Sequence, residues 1–203
     1  MPYKMEVALF VVERIGRSLD PGFVMTPEVQ AVYIKLIQYF HADPEFPGEL
    51  EKGLMLMGPT GTGKTLAMQV MAIYRQIDNT AFIFNRKVCK MNFEVVDVNH
   101  VINSYISNFY DGILVYLTRY IVCLDDVGSE SEYAKHFGNK IDVISYILTE
   151  RYSKRLLTFA TSNFPLKTLE EKYDDRIISR MYALFNFITM KGNDFRKTNK
   201  NPK

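Results

Sequence analysis

The sequence predicts an α/β domain, a parallel β-sheet sandwiched by helices. Three observations carry this. From Gly53 onward short apolar runs alternate with longer stretches of helical period; a glycine-rich turn, Gly58 to Thr65, joins the first run to the first such stretch; and a later apolar run closes on two adjacent acids, Asp125 and Asp126. Strands separated by helices pair in parallel, because the crossover that returns the chain to the same sheet edge is a helix lying on one face. Size and composition agree with a single core: 203 residues, 47% apolar and 24% charged, far from the balance that leaves a chain unfolded.

Taken in order, residues 1–25 read as a lead segment without a defined element. Thr26-Pro27-Glu28 then supplies an N-cap, a proline at the first helical position and an early acid, and Val29, Val32, Tyr33, Leu36, Ile37 and Phe40 continue as one helical stripe. The connector Asp43-Pro44-Glu45-Phe46-Pro47-Gly48 breaks that helix. The expected organisation is an N-terminal extension with one amphipathic helix over 1–49, a core over 50–197 and a basic tail over 198–203. Within the core, the spacing predicts strands over 54–57, 93–96, 120–124, 156–160 and 187–190, and helices over 64–75, 141–152 and 175–184.

Charge and cysteine content bound the setting. The net charge is +2, but from Lys191 onward five basic residues face Asp194 alone, so the basic excess is a property of the tail. Cys89 and Cys123 are far apart and form no C-x-x-C spacing, which excludes a disulfide framework or zinc knuckle and fits a reducing cytosol. The apolar stretch from Val7 to Val12 is too short, and too closely bounded by Glu6 and Glu13, to be a signal peptide. The longest run free of charged residues, Val98 to Tyr110, falls well short of the roughly 20 apolar residues of a membrane span. A soluble cytoplasmic domain with no membrane partner is expected.

Gly58-Pro59-Thr60-Gly61-Thr62-Gly63-Lys64-Thr65 matches G-x-x-x-x-G-K-[ST], after the run Leu54-Met55-Leu56-Met57 and before a helical pattern. Glycines let the backbone wrap closely around phosphate oxygens, so that successive amides and the positive end of the next helix face the anion. The expected nucleotide-binding set is Gly58, Thr60, Gly61, Thr62, Gly63, Lys64, Thr65 and Leu66, with Lys64 a mobile charge for the β and γ phosphates and Thr65 a hydroxyl for Mg²⁺. A chance glycine turn does not account for a full match with both flanks correct, so the fold class narrows to the P-loop NTPase fold with ATP and Mg²⁺ as cofactors, and the loop alone leaves an NTPase and a small-molecule kinase both open.

Two further strand ends belong with this loop. Tyr120-Ile121-Val122-Cys123-Leu124-Asp125-Asp126 is an apolar strand closing on two carboxylates, which are costly there unless a cation or water meets them. The alternative is a solvated pair opening a loop toward Gly128. Thr161-Ser162-Asn163 ends the strand over 156–160, where ligand groups collect in a parallel sheet and an amide can orient a water; otherwise Asn163 only opens the turn toward Pro165.

In this order GPTGTGKT, IVCLDD and FATSNFP, with Glu150-Arg151-Tyr152 before the third and Arg176-Ile177-Ile178-Ser179-Arg180 after it, resemble the DnaC/IstB branch of the AAA+ ATPases. That branch holds bacterial helicase loaders and transposition helper ATPases. The resemblance covers roughly residues 50–197 and ends in Met190-Lys191-Gly192-Asn193-Asp194-Phe195-Arg196, similar to the Gly-x-Ser-Tyr-Arg close of the family. It implies an AAA+ core in which Asp125 holds Mg²⁺ through water, Asp126 polarises the attacking water, Asn163 is the first sensor, and Arg196 a second sensor. It also implies that Arg180 is the finger a neighbouring subunit inserts, a contribution of roughly 10³ to 10⁵ in rate in known cases. The alternative for Arg176 and Arg180 is a surface pair bonding Glu171, Asp174 or Asp175.

The same resemblance implies a homo-oligomer with ATP at subunit boundaries, a replicative helicase or transposase as partner, and contact with single- or double-stranded DNA. Two departures qualify it. Most AAA+ enzymes have Glu at the place of Asp126, so slow hydrolysis is expected. The chain also closes about where the core closes, so no helical lid is expected, and the first 50 residues are too few for a separate helicase-binding or DNA-binding domain.

Other chemistries find no support. His41, His100 and His136 have no H-E-x-x-H spacing, and there is no G-x-S-x-G elbow. Arg86-Lys87 with Lys90, Arg151 with Lys154-Arg155, and the tail are either nucleic-acid tracks or solvated faces. A monomeric P-loop kinase of a small metabolite is the second reading, opposed by the Thr161-Ser162-Asn163 strand end and the lack of an acceptor lid. A nucleotide-gated binding module with little hydrolysis is the third, resting on Asp126.

Overall fold

A computed structural model describes residues 3–78, 81–84, 87–130, 134–136 and 139–192. In chain order the elements are α1 (Met5–Leu19), α2 (Pro27–Phe40), β1 (Gly53–Met57), α3 (Lys64–Asp78), β2 (Ala81–Phe84), β3 (Lys87–Lys90), β4 (Val95–Asp97), α4 (Val98–Thr118), β5 (Ile121–Asp125), β6 (Ala134–His136), β7 (Asn139–Ile141), α5 (Val143–Ser153), β8 (Leu157–Ser162), α6 (Leu166–Lys172), α7 (Asp175–Leu184) and β9 (Phe185–Thr189).

Five strands form the main sheet in the order β4-β5-β8-β1-β9, every pair parallel. The strands β1, β5 and β8 are buried along their whole length, which is why they read as continuous apolar runs rather than as alternation. Alternate residues still face opposite sides. Leu54, Leu56, Cys123 and Phe159 join a core with α1, α2 and α3, whereas Met55, Val122, Leu124 and Ala160 join a second core with α4, α5 and α7. The register sets Met57 beside Ser162 and Asp97 beside Asp125, so the carboxyl ends of four strands open along one edge.

The predicted elements form with small shifts. Thr26 caps α2 by accepting from the Val29 amide at 3.4 Å, and Asp142 caps α5 by accepting from Ser145. The strand expected over 93–96 begins at Val95, while Phe93 packs in the core beside Phe159. The hairpins β2-β3 and β6-β7 and the helix α6 were not predicted from sequence.

Two larger differences have physical causes. The lead segment contains α1, so the N-terminal extension holds two helices rather than one. Ala8, Val12 and Ile15 are buried at helical spacing, but Leu9, Phe10 and Val11 between them are also apolar and blur the stripe. Both helices pack into the same core as β1 and α3, so the extension is part of the domain. The second difference is α4, which is rich in Asn and Ser and therefore poor in helix propensity. Burial of Val98, Val101, Tyr105, Ile113 and Tyr116 stabilises it instead, and it breaks at Phe109, where φ is 53°.

One buried cation ties the far end of this layer together. Arg151 has no solvent exposure. Its Nε donates to Thr158 Oγ1 (2.9 Å), Nη1 to the carbonyls of Tyr116 (2.7 Å) and Arg119 (2.8 Å), and Nη2 to those of Leu157 (2.6 Å) and Tyr120 (3.4 Å). It therefore joins α5 to the end of α4 and to the starts of β5 and β8. Burial pushes its pKa down to about 9, which leaves it charged at neutral pH. The expected basic cluster of Arg151 with Lys154-Arg155 is thus corrected, since Arg151 faces inward. Arg86 and the basic tail lie outside the described residues. Among the described residues, no helix is long and apolar enough to cross a membrane.

Arg151→Ala leaves several buried carbonyls without a donor, a cost of roughly 3 kcal/mol or more. Thermal denaturation followed by circular dichroism should show Tm lowered by about 6 to 12 °C for a domain of this size. Arg151→Lys, which keeps the charge but not the fork, should recover only part of the loss.

Candidate nucleotide site

The loop after β1 is shaped by what each glycine permits. At Gly58 φ is +152°, and a Cβ would lie 2.2 Å from the Met190 carbonyl oxygen, so only glycine lets β1 leave the sheet against the end of β9. At Gly63 φ is +87°, yet a Cβ there would meet nothing within 4 Å. The requirement at Gly63 is conformational, and the space beside it is open. The chain enters α3 directly at Lys64, which turns the unpaired amides of the helix start toward that space. Lys64 is buried, with Nζ donating to the carbonyls of Gly58 and Pro59 at 2.8 Å each, and Thr62 Oγ1 donates to Pro59 at 2.9 Å. A glycine-shaped concavity with a helix start and a lysine is the chemistry of a polyphosphate cradle.

The acids meet this cradle through hydroxyls. Thr65 Oγ1 lies 2.9 and 3.0 Å from the two oxygens of Asp125, and Thr161 Oγ1 donates to Asp125 Oδ1 at 2.6 Å. Thr161 Oγ1 also accepts from the Asp126 amide at 2.9 Å, so one hydroxyl serves both acids. Asp126 takes a left-handed φ of 62° and turns the chain away from the sheet. Its Oδ1 accepts from Asn163 Nδ2 at 2.6 Å. The Val127 amide bonds the Thr161 carbonyl, and Ser162 Oγ donates to the Val127 carbonyl, which locks this turn to the end of β8.

Asp97, Asp125 and Asp126 place one carboxylate oxygen each within 4.8 Å of one another. Three like charges at one sheet edge repel, and a cation relieves that repulsion. The donors are all oxygens, hydroxyl and carboxylate, which suit a hard divalent ion such as Mg²⁺. The residues present therefore fit a magnesium-bound triphosphate.

A pocket of about 320 Å³ continues from the cradle. Residues 60–66, Asp126 and Asn163 line it on the cradle side; Phe23, Val24, Val29, Tyr33 and Met190, with Gly22 and the acid Asp20, complete the lining at a mostly apolar end. That end comes mostly from the N-terminal extension, with Phe23 edge-on to Tyr33 at 6.0 Å and a Cβ on Gly16 only 2.8 Å from the Phe23 ring. An apolar recess beyond a phosphate cradle has the character of a nucleobase site.

The expected residues of the loop, both acids and Asn163 are thus brought together. Arg180 is not: it lies on α7, half-buried, with Nη1 donating to Thr149 Oγ1 of α5 at 2.8 Å, and it does not line the pocket. Arg176 is exposed in the first turn of α7. Among the described residues neither pairs with Glu171, Asp174 or Asp175; Asp174 instead caps α7 by accepting from the Ile177 amide. Arg196 lies outside the described residues. Sequence reasoning missed Asp97, although it ends an apolar run as Asp125 does. It also missed the base-end residues: Val29 and Tyr33 were read as core, and Phe23 sits in a segment without periodicity.

A parallel sheet with this loop and these acids at its carboxyl edge defines a P-loop NTPase core. Comparison with solved structures finds the same fold in several other proteins. The chain is similar to DnaI (23% identity, TM-score 0.61, covering 91% of this chain and 93% of that one) and to the DnaC helicase loader (20% identity, TM-score 0.59, covering 85% and 96%). It is also similar to AMPPCP-bound DnaA from Aquifex aeolicus (16% identity, TM-score 0.56, covering 86% of this chain and 50% of that one). At these identities the likeness is one of fold. No protein-family model matches the chain, and no curated protein matches it.

The two glycines separate fold from binding. Gly58→Ala should cost roughly 1 to 3 kcal/mol through the forced contact and the strained φ. Gly63→Ala should cost less stability, yet weaken binding of a fluorescent ATP analogue at least tenfold because its methyl group enters the cradle. Thermal melts and nucleotide titrations of both variants check this.

Proposed function

We propose that this chain is an AAA+ ATPase that binds ATP with Mg²⁺, hydrolyses it slowly, and works as an oligomeric nucleotide switch in DNA replication, loading a helicase onto DNA. The observation that carries the proposal is the meeting of Thr65 with Asp125, and of Asp126 with Asn163, at the mouth of the glycine loop. The fold shared with the DnaC helicase loader is consistent with the loader reading.

In this proposal the loop amides and Lys64 hold the β and γ phosphates, while Thr65 and Asp125 hold Mg²⁺, whose charge offsets that of the phosphates. Asp126 accepts a hydrogen bond from the attacking water and Asn163 orients that water against the γ phosphate. Hydrolysis is slow for two reasons. The Asp126 carboxylate stands one methylene further back than a glutamate would, and Asn163 already occupies one of its oxygens at 2.6 Å. Arg180 of a neighbouring subunit completes the site, so ATP favours assembly and hydrolysis releases it. Rotation of the Arg180 side chain away from Thr149 is part of that completion. The oligomer then engages a replicative helicase and DNA.

Mixing two inactive variants tests the shared site. Asp126→Asn and Arg180→Ala should each lose at least tenfold in turnover, and their mixture should recover a measurable fraction, because some interfaces then combine an intact acid with an intact arginine. Arg176→Ala serves as the comparison on the same helix. Light scattering should show a larger species with a non-hydrolysable ATP analogue than with ADP. An Arg180→Ala protein that stays monomeric and hydrolyses normally contradicts the proposal.

A further inference from the structure

The turn that carries Asp126 is held from outside the sheet as well as from within it. Four residues beyond Asp126, the Glu130 side chain is 2% exposed. It accepts hydrogen bonds from the Gly128 amide at 2.8 Å and from the Tyr173 hydroxyl, and it lies 3.3 Å from Lys172 Nζ. Lys172 Nζ donates in turn to the carbonyls of Gly128, at 2.6 Å, and of Glu130. Gly128 has a φ of +99°, and a Cβ there would lie 2.7 Å from Leu169 of α6 and 2.9 Å from Phe164, so the turn packs closely against these side chains. Burial, and then the neighbouring Glu130 charge, push the Tyr173 phenol far above its ordinary range, so it remains a donor.

A buried carboxylate is retained only where its partners compensate its desolvation, and here a cation, a phenol and an amide all converge on it. None of Glu130, Lys172 and Tyr173 lines the nucleotide pocket. What the network fixes is the backbone of the turn: the Ser129 amide bonds the Asp126 carbonyl at 3.0 Å, and Asp126 itself sits at a left-handed φ of 62°, a conformation that a short polar side chain tolerates. The network also reaches α6, and the chain runs from Tyr173 directly into α7, where Arg176 and Arg180 stand.

We propose that Glu130, clamped by Lys172 and Tyr173, is a positioning residue that sets the reach of the Asp126 carboxylate and links it mechanically to α6 and α7. This role rests on the hydrolytic reading given above. It acts on turnover and not on nucleotide affinity, because the clamp touches the turn that bears the hydrolytic acid and no part of the phosphate cradle.

The test measures ATP turnover and the Kd for a fluorescent ATP analogue in wild type, Lys172→Met, Tyr173→Phe and Glu130→Gln, each with its Tm. Tyr173→Phe removes a single oxygen and serves where a larger change unfolds the protein. The expected result is a kcat at least tenfold lower for Lys172→Met and Tyr173→Phe with Kd changed less than twofold. Glu130→Gln, which keeps the shape and an acceptor oxygen, should lose less. Unchanged kcat in folded variants, or kcat and Kd worsening together, overturns the clamp alone. Wild-type protein that binds ATP without any turnover overturns the hydrolytic reading and this role with it.

Discussion

The carboxylate of Asp125 is where separate parts of the chain become one site. It takes hydroxyl contacts from Thr65 at the start of α3 and from Thr161 near the end of β8, residues 60 and 36 positions away in sequence. These contacts form because β5 and β8 are adjacent parallel strands and β1 lies next to β8, so the loop, the acids and the polar strand end emerge side by side. Without an oxygen-seeking cation, a buried carboxylate beside two further acids is an unfavourable arrangement. The sheet order thus gathers oxygens of the kind a hard divalent cation takes.

The rest of the molecule serves that edge. On one face, α1 and α2 stabilise the sheet and also close the apolar end of the pocket, so the N-terminal extension is both core and binding wall. On the other face, α5 is joined to the end of α4 and to the starts of β5 and β8 by Arg151, whose guanidinium binds carbonyls rather than an acid. A planar fork of donors can satisfy several helix-end and strand-start carbonyls at once, which no apolar residue could do. Between these layers the turn after Asp126 is held by β8 on one side and by Lys172 at the end of α6 on the other.

How much of this was legible in the sequence depends on where the signal resides. The phosphate loop, both acids and Asn163 were readable because their chemistry is local: each follows an apolar strand by one or two residues. The buried strands were readable as apolar runs. The helix α1 was not, because apolar residues surround its stripe, and α4 was not, because its Asn and Ser content argues against a helix that burial nonetheless stabilises. Asp97 ends an apolar run without a second acid or a motif beside it, Tyr33 sits in a stripe that reads as core, and Phe23 follows no pattern. Their place in the site follows from strand register and helix packing, which a single sequence does not display. Arg180 shows the opposite limit: the motif draws it toward the site, whereas within the chain it donates to Thr149 on α5 and does not line the pocket.

The central claim is that triphosphate and Mg²⁺ are held jointly by the glycine loop and Asp125. Calorimetric titration of ATP in Mg²⁺ and in excess chelator, with wild type and Asp125→Asn, tests it most directly. The account predicts that chelation weakens wild-type binding at least tenfold, and that Asp125→Asn binds ATP with an affinity that no longer depends on Mg²⁺. Equal wild-type affinity with and without Mg²⁺, or full Mg²⁺ dependence retained in Asp125→Asn, would contradict it.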